Sequence, residues 1–267
     1  MPDRIVGYHR ELDFPKNRED QKTEIPREVE TKIIEGFNRE ELIKKIQKEG
    51  GVPEGENILI QDRTFRVDKT AGIQESSFPM RVPLRDMQDQ NDRASLRQAL
   101  RLLGLKITEF VHESEGDAYV VALKSRIKSR PVRFRRIGDG ELYFTVKERR
   151  KKNPEDNIDN RIEIEVPISR TQPLESLLGA LGYREDQSLD KRVTRTSYKV
   201  GDTKVEFNSA PHLGIPDWVE IEGHNPDAIK KTAELLGIPQ ASFRSMSLKS
   251  QMEYFKSGTE PTPLAQE

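Results

Sequence analysis

Apolar and polar residues alternate one by one along several short segments of the chain, which is the period of a β-strand whose two faces differ. Turn-forming Gly, Asp, Asn or Pro residues lie near most of these segments. The alternation predicts strands over residues 28–34, 119–124, 132–137, 142–149, 161–168, 193–200, 203–208 and 218–222. We therefore expect a fold rich in β-sheet.

A second pattern, with apolar residues three or four positions apart, predicts helices. Leu42 and Ile46 lie on such a stripe. Asn38 is placed to cap the start of this helix, and Gly50 is placed to end it. The same kinds of signal predict further helices over residues 93–103, 173–181, 227–236 and 245–255.

These patterns divide the chain into three parts. Residues 1–25 are charged and without periodicity, so we expect an extended or mobile N-terminal segment. One domain is expected over residues 26–240, with an insertion of unknown role at about 51–92 that contains a short hairpin near residues 58–67. Residues 241–267 are expected to form a C-terminal helix and a tail.

The composition is lean in apolar residues and rich in balanced charge. Hydrophobic residues make up 33% of the 267, and 45 Lys and Arg stand against 46 Asp and Glu, which gives a net charge of −1. A chain this polar that still folds must carry disordered stretches or place charge somewhere other than its outer surface.

Several classes of protein are excluded at this point. Cysteine is absent, which removes disulfides, zinc–thiolate sites, iron–sulfur clusters and cysteine nucleophiles. The longest apolar run, residues 118–123, is far shorter than the roughly 20 residues of a membrane-spanning helix. Residues 1–27 contain no apolar core of a signal peptide. We expect a cytoplasmic protein with no membrane partner.

Like charges recur in pairs two residues apart on the predicted strands. Residues i and i+2 of a strand share one face, so each pair projects in one direction at a spacing of about 7 Å. Glutamates form three such pairs and arginines form one: Glu28 and Glu30, Glu163 and Glu165, Glu220 and Glu222, and Arg133 and Arg135. An amphipathic sheet with one wet face is the simplest explanation. Repeated pairs of like charge, however, are tolerated when a divalent or opposing cation neutralises them. Because carboxylates suit Mg²⁺ or Mn²⁺ and arginines suit phosphates, we predict a surface for a metal-bound polyphosphate.

At these residues the chain resembles the CYTH superfamily, the triphosphate tunnel metalloenzymes that include class IV adenylate cyclases and thiamine triphosphatases. Residues 28–32, Glu-Val-Glu-Thr-Lys, match the Glu-x-Glu-x-Lys signature of that superfamily. The later pieces follow in the expected order over about 200 residues: Arg133-Phe134-Arg135, Thr145-Val146-Lys147, residues 161–165, residues 195–202 and residues 204–223.

The resemblance implies an α+β fold in which an eight-stranded antiparallel β-barrel forms a tunnel and helices pack outside it. It implies that acidic side chains in the tunnel hold Mg²⁺ or Mn²⁺ and that basic ones hold a triphosphate-containing small molecule. The metal-associated positions are then Glu28, Glu30, Glu163, Glu165, Glu206, Glu220 and Glu222. The phosphate-binding positions are Lys32, Arg133, Arg135, Lys147, Arg161, Lys191 and Arg195, of which Lys32 and Arg195 are assigned to catalysis.

Two positions depart from the family pattern. Val193 stands two residues before Arg195, where a lysine is expected, and Lys191 on the same face is the assigned substitute. Asn208 stands where an aspartate is common, so we expect weaker metal binding there.

The implied reaction has two forms. One is hydrolysis of inorganic, nucleoside or thiamine triphosphate, and the other is cyclisation of ATP to cyclic AMP and pyrophosphate. The departures at Val193 and Asn208 keep open a non-catalytic module that binds polyphosphate or nucleotides. A homodimer is also left open.

Other chemistries lack their motifs. The chain has no P-loop run, no Gly-x-Ser-x-Gly elbow and no His-Glu-x-x-His spacing. The basic stretch over residues 124–152 is the main argument for nucleic-acid binding. A net charge near zero and an aromatic content of 6% argue against that alternative.

Overall fold

The computed structural model describes residues 27–68, 70–84, 90–111, 117–123, 130–149 and 157–257. The expected N-terminal segment over residues 1–25 and the tail after residue 257 lie outside this part of the chain. So do residues 124–129 and 150–152 of the basic stretch. Expectations about these segments therefore stay predictions.

The strands form two antiparallel sheets. In chain order they are β1 (Arg27–Ile33), β2 (Val52–Val67), β3 (Met80–Pro83), β4 (Leu105–Val111), β5 (Ala118–Leu123), β6 (Val132–Ile137), β7 (Glu141–Arg149), β8 (Asp159–Pro167), β9 (Tyr183–Glu185), β10 (Lys191–Val200), β11 (Thr203–Ser209) and β12 (Trp218–Gly223). The larger sheet has the order β10-β11-β12-β1-β8-β7-β6-β2-β9, and β10 also pairs with β2. That pairing closes eight strands into a barrel, and β9 extends it beside β2. The smaller sheet has the order β3-β5-β4.

The helices of the described residues pack outside the barrel. They are α1 (Arg39–Lys48), α2 (Gln90–Leu102), α3 (Gln172–Ala180), α4 (Pro226–Leu235) and α5 (Leu248–Ser257). The α1 helix begins where predicted, because the Asn38 side chain accepts a hydrogen bond from the backbone N–H of Glu41. The predicted α+β class, with a closed eight-stranded antiparallel barrel and external helices, is confirmed. In the described part of the chain, no helix combines the length and apolar character needed to cross a bilayer.

Apolar cores cover the outside of the barrel on two sides. On one side Val146 and Ile164 of the barrel pack with Leu100 of α2 and Leu177 of α3, and Val121 of the smaller sheet joins them. On the other side the outward residues of β1 and β12 pack with α1 and α4. Burial of apolar area is the main force that holds these layers together, so apolar side chains occupy the outward positions of the strands. The inward positions remain for polar side chains.

Strand β2 corrects the predicted insertion over residues 51–92. Residues 52–67 are one continuous barrel strand that pairs with β10 and with β6. The expected hairpin near residues 58–67 is wrong, because the chain does not turn back there. Asn57 has a left-handed φ of 51°, and the register with β10 shifts around Ser197, so the alternation is broken within the strand. The short strands β3, β4 and β9 also escaped prediction.

One end of the barrel interior is apolar. Val193 and Trp218 lie on the inward rows of β10 and β12, and they pack together with Met246 and with Ile34, which directly follows β1. Leu248 and other residues of α5 cover this cluster. We call these four residues, Ile34, Val193, Trp218 and Met246, the apolar end. Val193 is fully buried there, so the position where a family lysine was expected serves packing.

Candidate active site

The inward rows of the barrel strands carry both signs of charge, and ion pairs join the rows to one another. Every residue that the sequence assigned to metal or phosphate lies on one of these strands. The assigned residues that participate in interior ion pairs are Glu28, Glu30, Lys32, Arg133, Arg135, Lys147, Arg161, Glu163, Glu165, Arg195, Glu206 and Glu220. The structure thus brings most of the predicted site together, while the individual roles stay predictions.

Lys32 lies between two buried carboxylates. Its Nζ atom donates to Glu220 Oε1 at 2.6 Å and to Glu30 Oε1 at 3.1 Å. Arg161 Nη1 lies 3.0 Å from the same Glu30 oxygen. Burial would raise the pKa of Glu30, but Lys32 and Arg161 lower it to about 2. Burial would lower the pKa of Lys32, but Glu220 and Glu30 hold it above its usual value. Glu30 and Lys32 are therefore both ionised throughout the physiological pH range.

Arg133 and Arg135 of β6 form a second part of the interior wall, away from Lys32 on β1. Arg135 Nε donates to Asp62 Oδ1 at 2.9 Å, and Arg135 Nη1 donates to Glu165 Oε1 at 3.0 Å. Arg133 contacts Asp62 at 3.3 Å and forms a close pair with Glu163. Glu163 and Glu165, which were assigned to metal, are thus held by guanidinium groups on this wall.

Arg195 is fixed by three neighbours on β11 and β12. Its Nη1 atom lies 2.5 Å from Glu206 Oε2, and its Nη2 atom lies 3.3 Å from Glu220 Oε2. Its Nε atom donates to Asn208 Oδ1 at 2.8 Å. Asn208 is fully buried, so this amide acts as an acceptor that positions Arg195 without adding negative charge.

Lys191 differs from the other interior cations. Its Nζ atom lies 5.9 Å from the centre of the Trp218 ring, and no ion pair holds it among the residues that the structure describes. Burial lowers its pKa to about 8, although Glu220 and Asp62 act in the opposite direction. Lys191 therefore reaches the inner face as predicted but lies at the apolar end.

Two groups of carboxylates in the described barrel could each hold a metal ion. One group is Glu28, Glu30 and Glu222, and the other is Glu206, Glu220 and Glu222. Within each group the oxygen atoms lie within 4.8 Å of one another. Glu222 belongs to both groups, so two ions bound here would share a ligand. Oxygen-only donors of this kind suit Mg²⁺ or Mn²⁺.

The pKa values of Glu222 and Glu28 indicate that too little positive charge surrounds these carboxylates. Burial and the neighbouring Glu206 together raise the pKa of Glu222 to about 8, although Arg195 opposes the shift. Burial also raises the pKa of Glu28 well above its usual value, although Lys147 lies 3.4 Å away. Buried carboxylates whose pKa is raised in this way fit a bound divalent cation, which would stabilise their ionised form.

A cavity of about 470 Å³ runs along the interior from the Glu222 end. Glu28 and Glu222 line it at that end, and Arg135 and Arg195 line it further in. Lys204, whose Nζ atom lies 2.6 Å from Glu206 Oε1, also lines the cavity. The cavity therefore exposes carboxylates and cations to the same bound molecule.

Three charged residues of this network were not assigned from the sequence. Asp62 bridges the two arginines of β6, Asp159 pairs with Arg161, and Lys204 pairs with Glu206. Asp159 and Lys204 share the inward row of Arg161 and Glu206 two residues away, so the alternation alone could have indicated them. Asp62 was hidden because β2 was interpreted as an insertion.

Comparison with known proteins gives one family match and several structural likenesses. The model of the CYTH domain family matches residues 88–245, which is more than half of the chain. A protein from Pyrococcus horikoshii OT3 gives a TM-score of 0.48 at 18% identity over 85% of this chain and 98% of its own. A proposed adenylate cyclase from Vibrio parahaemolyticus gives 0.49 at 14% identity over 85% of this chain and 97% of its own. No curated protein matches the chain. On the strength of the family match and the closed barrel with its charged interior, the chain belongs to the CYTH family of triphosphate-binding tunnel enzymes.

Proposed function

We propose that this protein is a metal-dependent triphosphatase that hydrolyses the terminal phosphoanhydride of a small triphosphate compound. The observation that carries the proposal is the pair of carboxylate groups sharing Glu222, which face Arg135 and Arg195 across one cavity. When bound there, Mg²⁺ or Mn²⁺ would supply positive charge to the phosphates and orient an attacking water molecule.

The basic side chains of the barrel interior bind the phosphates. Arg133 and Arg135 present planar groups that suit two-point contacts with phosphate oxygens. Lys32 and Arg195 enter from the side of the carboxylate groups and are held in place by Glu220. Their rotamers are fixed before substrate arrives, so little reorganisation is needed as charge develops.

Hydrolysis is favoured over cyclisation by the surroundings of the Glu222 end. Cyclisation requires a site that orients a nucleoside, whereas hydrolysis requires only the triphosphate grip. Among the described residues, no Phe, Tyr or Trp on which a base could stack lines this cavity or the pocket beside it at the same end, and His224 is the single aromatic ring there.

The experiment is an assay of purified protein with tripolyphosphate, ATP and thiamine triphosphate in Mg²⁺ or Mn²⁺, followed by separation of the products. We expect orthophosphate, and we expect EDTA to stop its release. Arg195→Gln should lower the rate by about 100-fold, whereas Arg101→Gln on the exposed face of α2 should leave it unchanged. Cyclic AMP with pyrophosphate would instead identify a cyclase, and binding without any product would identify a non-catalytic module.

Metal binding is expected to release a proton near neutral pH. At pH 7 Glu222 is mostly protonated because its pKa is about 8, and a bound cation displaces that proton. We expect release of about one proton per chain at pH 7 and almost none above about pH 9, where the carboxyl is already ionised. Calorimetry of Mg²⁺ or Mn²⁺ binding in buffers of different ionisation enthalpy measures this number. The same number of protons at both pH values would contradict the assignment of Glu222 as a ligand.

A further inference from the structure

A second cavity, of about 750 Å³, lies beside the end of the barrel where β10 begins. Its charged lining is mostly basic and includes Arg136, Arg192 and Lys191, together with His212. We call this cavity the basic pocket. The tunnel carboxylate groups described above do not line it.

Two of its arginines are arranged by the sheet itself. Arg136 on β6 and Arg192 on β10 both pair in register with Gln61, which lies on the strand between them. The two arginines are therefore separated by two strand spacings, which is about 10 Å between backbones. Side chains as long as arginine, on the two strands that flank β2, can converge on one anion across that distance.

These arginines are not neutralised within the protein. Both are exposed, and in the part of the chain that the structure describes neither participates in an ion pair. The two aspartates of the pocket are engaged elsewhere: Asp62 binds the arginines of the tunnel wall, and Asp190 Oδ1 accepts the backbone N–H of Thr64 at 3.2 Å. Arg63, by contrast, is held by Glu175 and Glu185 at 2.7 Å each.

The contrast with the tunnel defines the chemistry of the pocket. In the tunnel most cations already have carboxylate partners, so a polyphosphate there needs additional positive charge. In the basic pocket Arg136, Arg192 and the half-buried Lys191 leave an excess of positive charge, and no carboxylate of the described residues lies within 4.0 Å to offset it. An anion can bind there without a divalent cation.

We propose that the basic pocket is a second anion site, which binds a phosphate-bearing small molecule independently of metal and of the tunnel. The volume lies within the range of small-molecule sites, and Leu142 and Phe134 supply apolar wall for an organic part of the ligand. Orthophosphate and a phosphomonoester share the group that Arg136 and Arg192 recognise. Only the phosphomonoester has an organic part that can contact the apolar wall.

The test is calorimetric titration of the full chain with orthophosphate and, separately, with AMP, in buffer that contains EDTA. We expect saturable binding of one anion per chain, weakened roughly tenfold by Arg136→Gln or by Arg192→Gln. Arg101→Gln on the surface and Arg195→Gln in the tunnel should both bind as the wild type does. Tighter binding of AMP than of orthophosphate would identify an organic phosphate as the ligand, and equal affinity would identify the inorganic anion.

Three outcomes would overturn the proposal. The first is no saturable binding of either anion to the wild type. The second is unchanged affinity in both pocket variants, since both residues are exposed and these variants should fold. The third is loss of binding in Arg195→Gln alone, which would place the anion in the tunnel. None of these measurements depends on turnover, so failure of the proposed triphosphatase activity would leave the result interpretable.

Discussion

Glu222→Gln is expected to make the protein more stable and almost inactive. The folded barrel raises the pKa of Glu222 to about 8, so the ionised carboxylate is unfavourable in the absence of metal. This cost is absent below the ordinary pKa of a glutamate, grows as pH rises, and is fully present above about pH 8. We expect the free energy of unfolding of the metal-free protein to rise by up to about 5 kcal/mol at pH 8.5 and to change little at pH 5. Triphosphate hydrolysis should fall by about 100-fold because a ligand shared by both carboxylate groups is lost.

Thermal unfolding in EDTA and initial rates in Mg²⁺ measure the two effects. Glu234→Gln, an exposed carboxylate on α4, is the matched control and should change neither quantity. A lower stability of Glu222→Gln at pH 8.5, or a rate near that of the wild type, would contradict the role given to this residue. The opposite signs distinguish a binding residue from a structural one, because loss of a structural residue lowers both quantities.

Lys32→Met is expected to lower both stability and activity. Removal of the ammonium leaves Glu30 and Glu220 buried with fewer partners, and breaking a buried ion pair from one side costs about 3–5 kcal/mol. The loss should be largest near neutral pH and shrink as pH falls below about 4.5 toward 2, where these carboxylates take up protons. Hydrolysis should fall by at least 100-fold.

The double variant Lys32→Met/Glu220→Gln separates the two effects. Removing the second charge should recover part of the lost stability, because one unpaired carboxylate is gone, but it should not recover hydrolysis. Denaturant titration gives the free energies, and Lys44→Met on the exposed face of α1 is the control. Equal stability of the single and double variants would show that Lys32 and Glu220 do not interact as the 2.6 Å distance implies.

The alternation of charge predicted which charged side chains face the barrel interior, but it did not predict which of them lie next to one another. Because side chains alternate strictly along a strand, pairs such as Glu28 and Glu30 could be placed on one face without knowledge of the fold. The period does not reveal which strands are neighbours. The sequence therefore did not separate Glu163 and Glu165, which lie against arginines, from the carboxylate groups around Glu222.

Irregular backbone explains the strand that was missed. In β2 the left-handed Asn57 breaks the two-residue period, so the strand was interpreted as an insertion with a short hairpin, and the inward position of Asp62 was missed. Position 193, where a lysine was expected and valine is found, was misjudged for a different reason. Local pattern places Val193 on the inward face correctly, but only the packing of Trp218 and Met246 around it shows that this end of the interior is apolar.

The pairing of β1 with β12 has a consequence for synthesis. Lys32 and Glu220 are 188 residues apart in the chain, yet their strands are neighbours in the barrel. Contacts of such long sequence separation form late, because the intervening loop must close first. On the ribosome, β1 emerges before β12, and its charged side chains stay in water until β12 has been synthesised. A nascent chain arrested before residue 218 therefore has neither a closed barrel nor either carboxylate group.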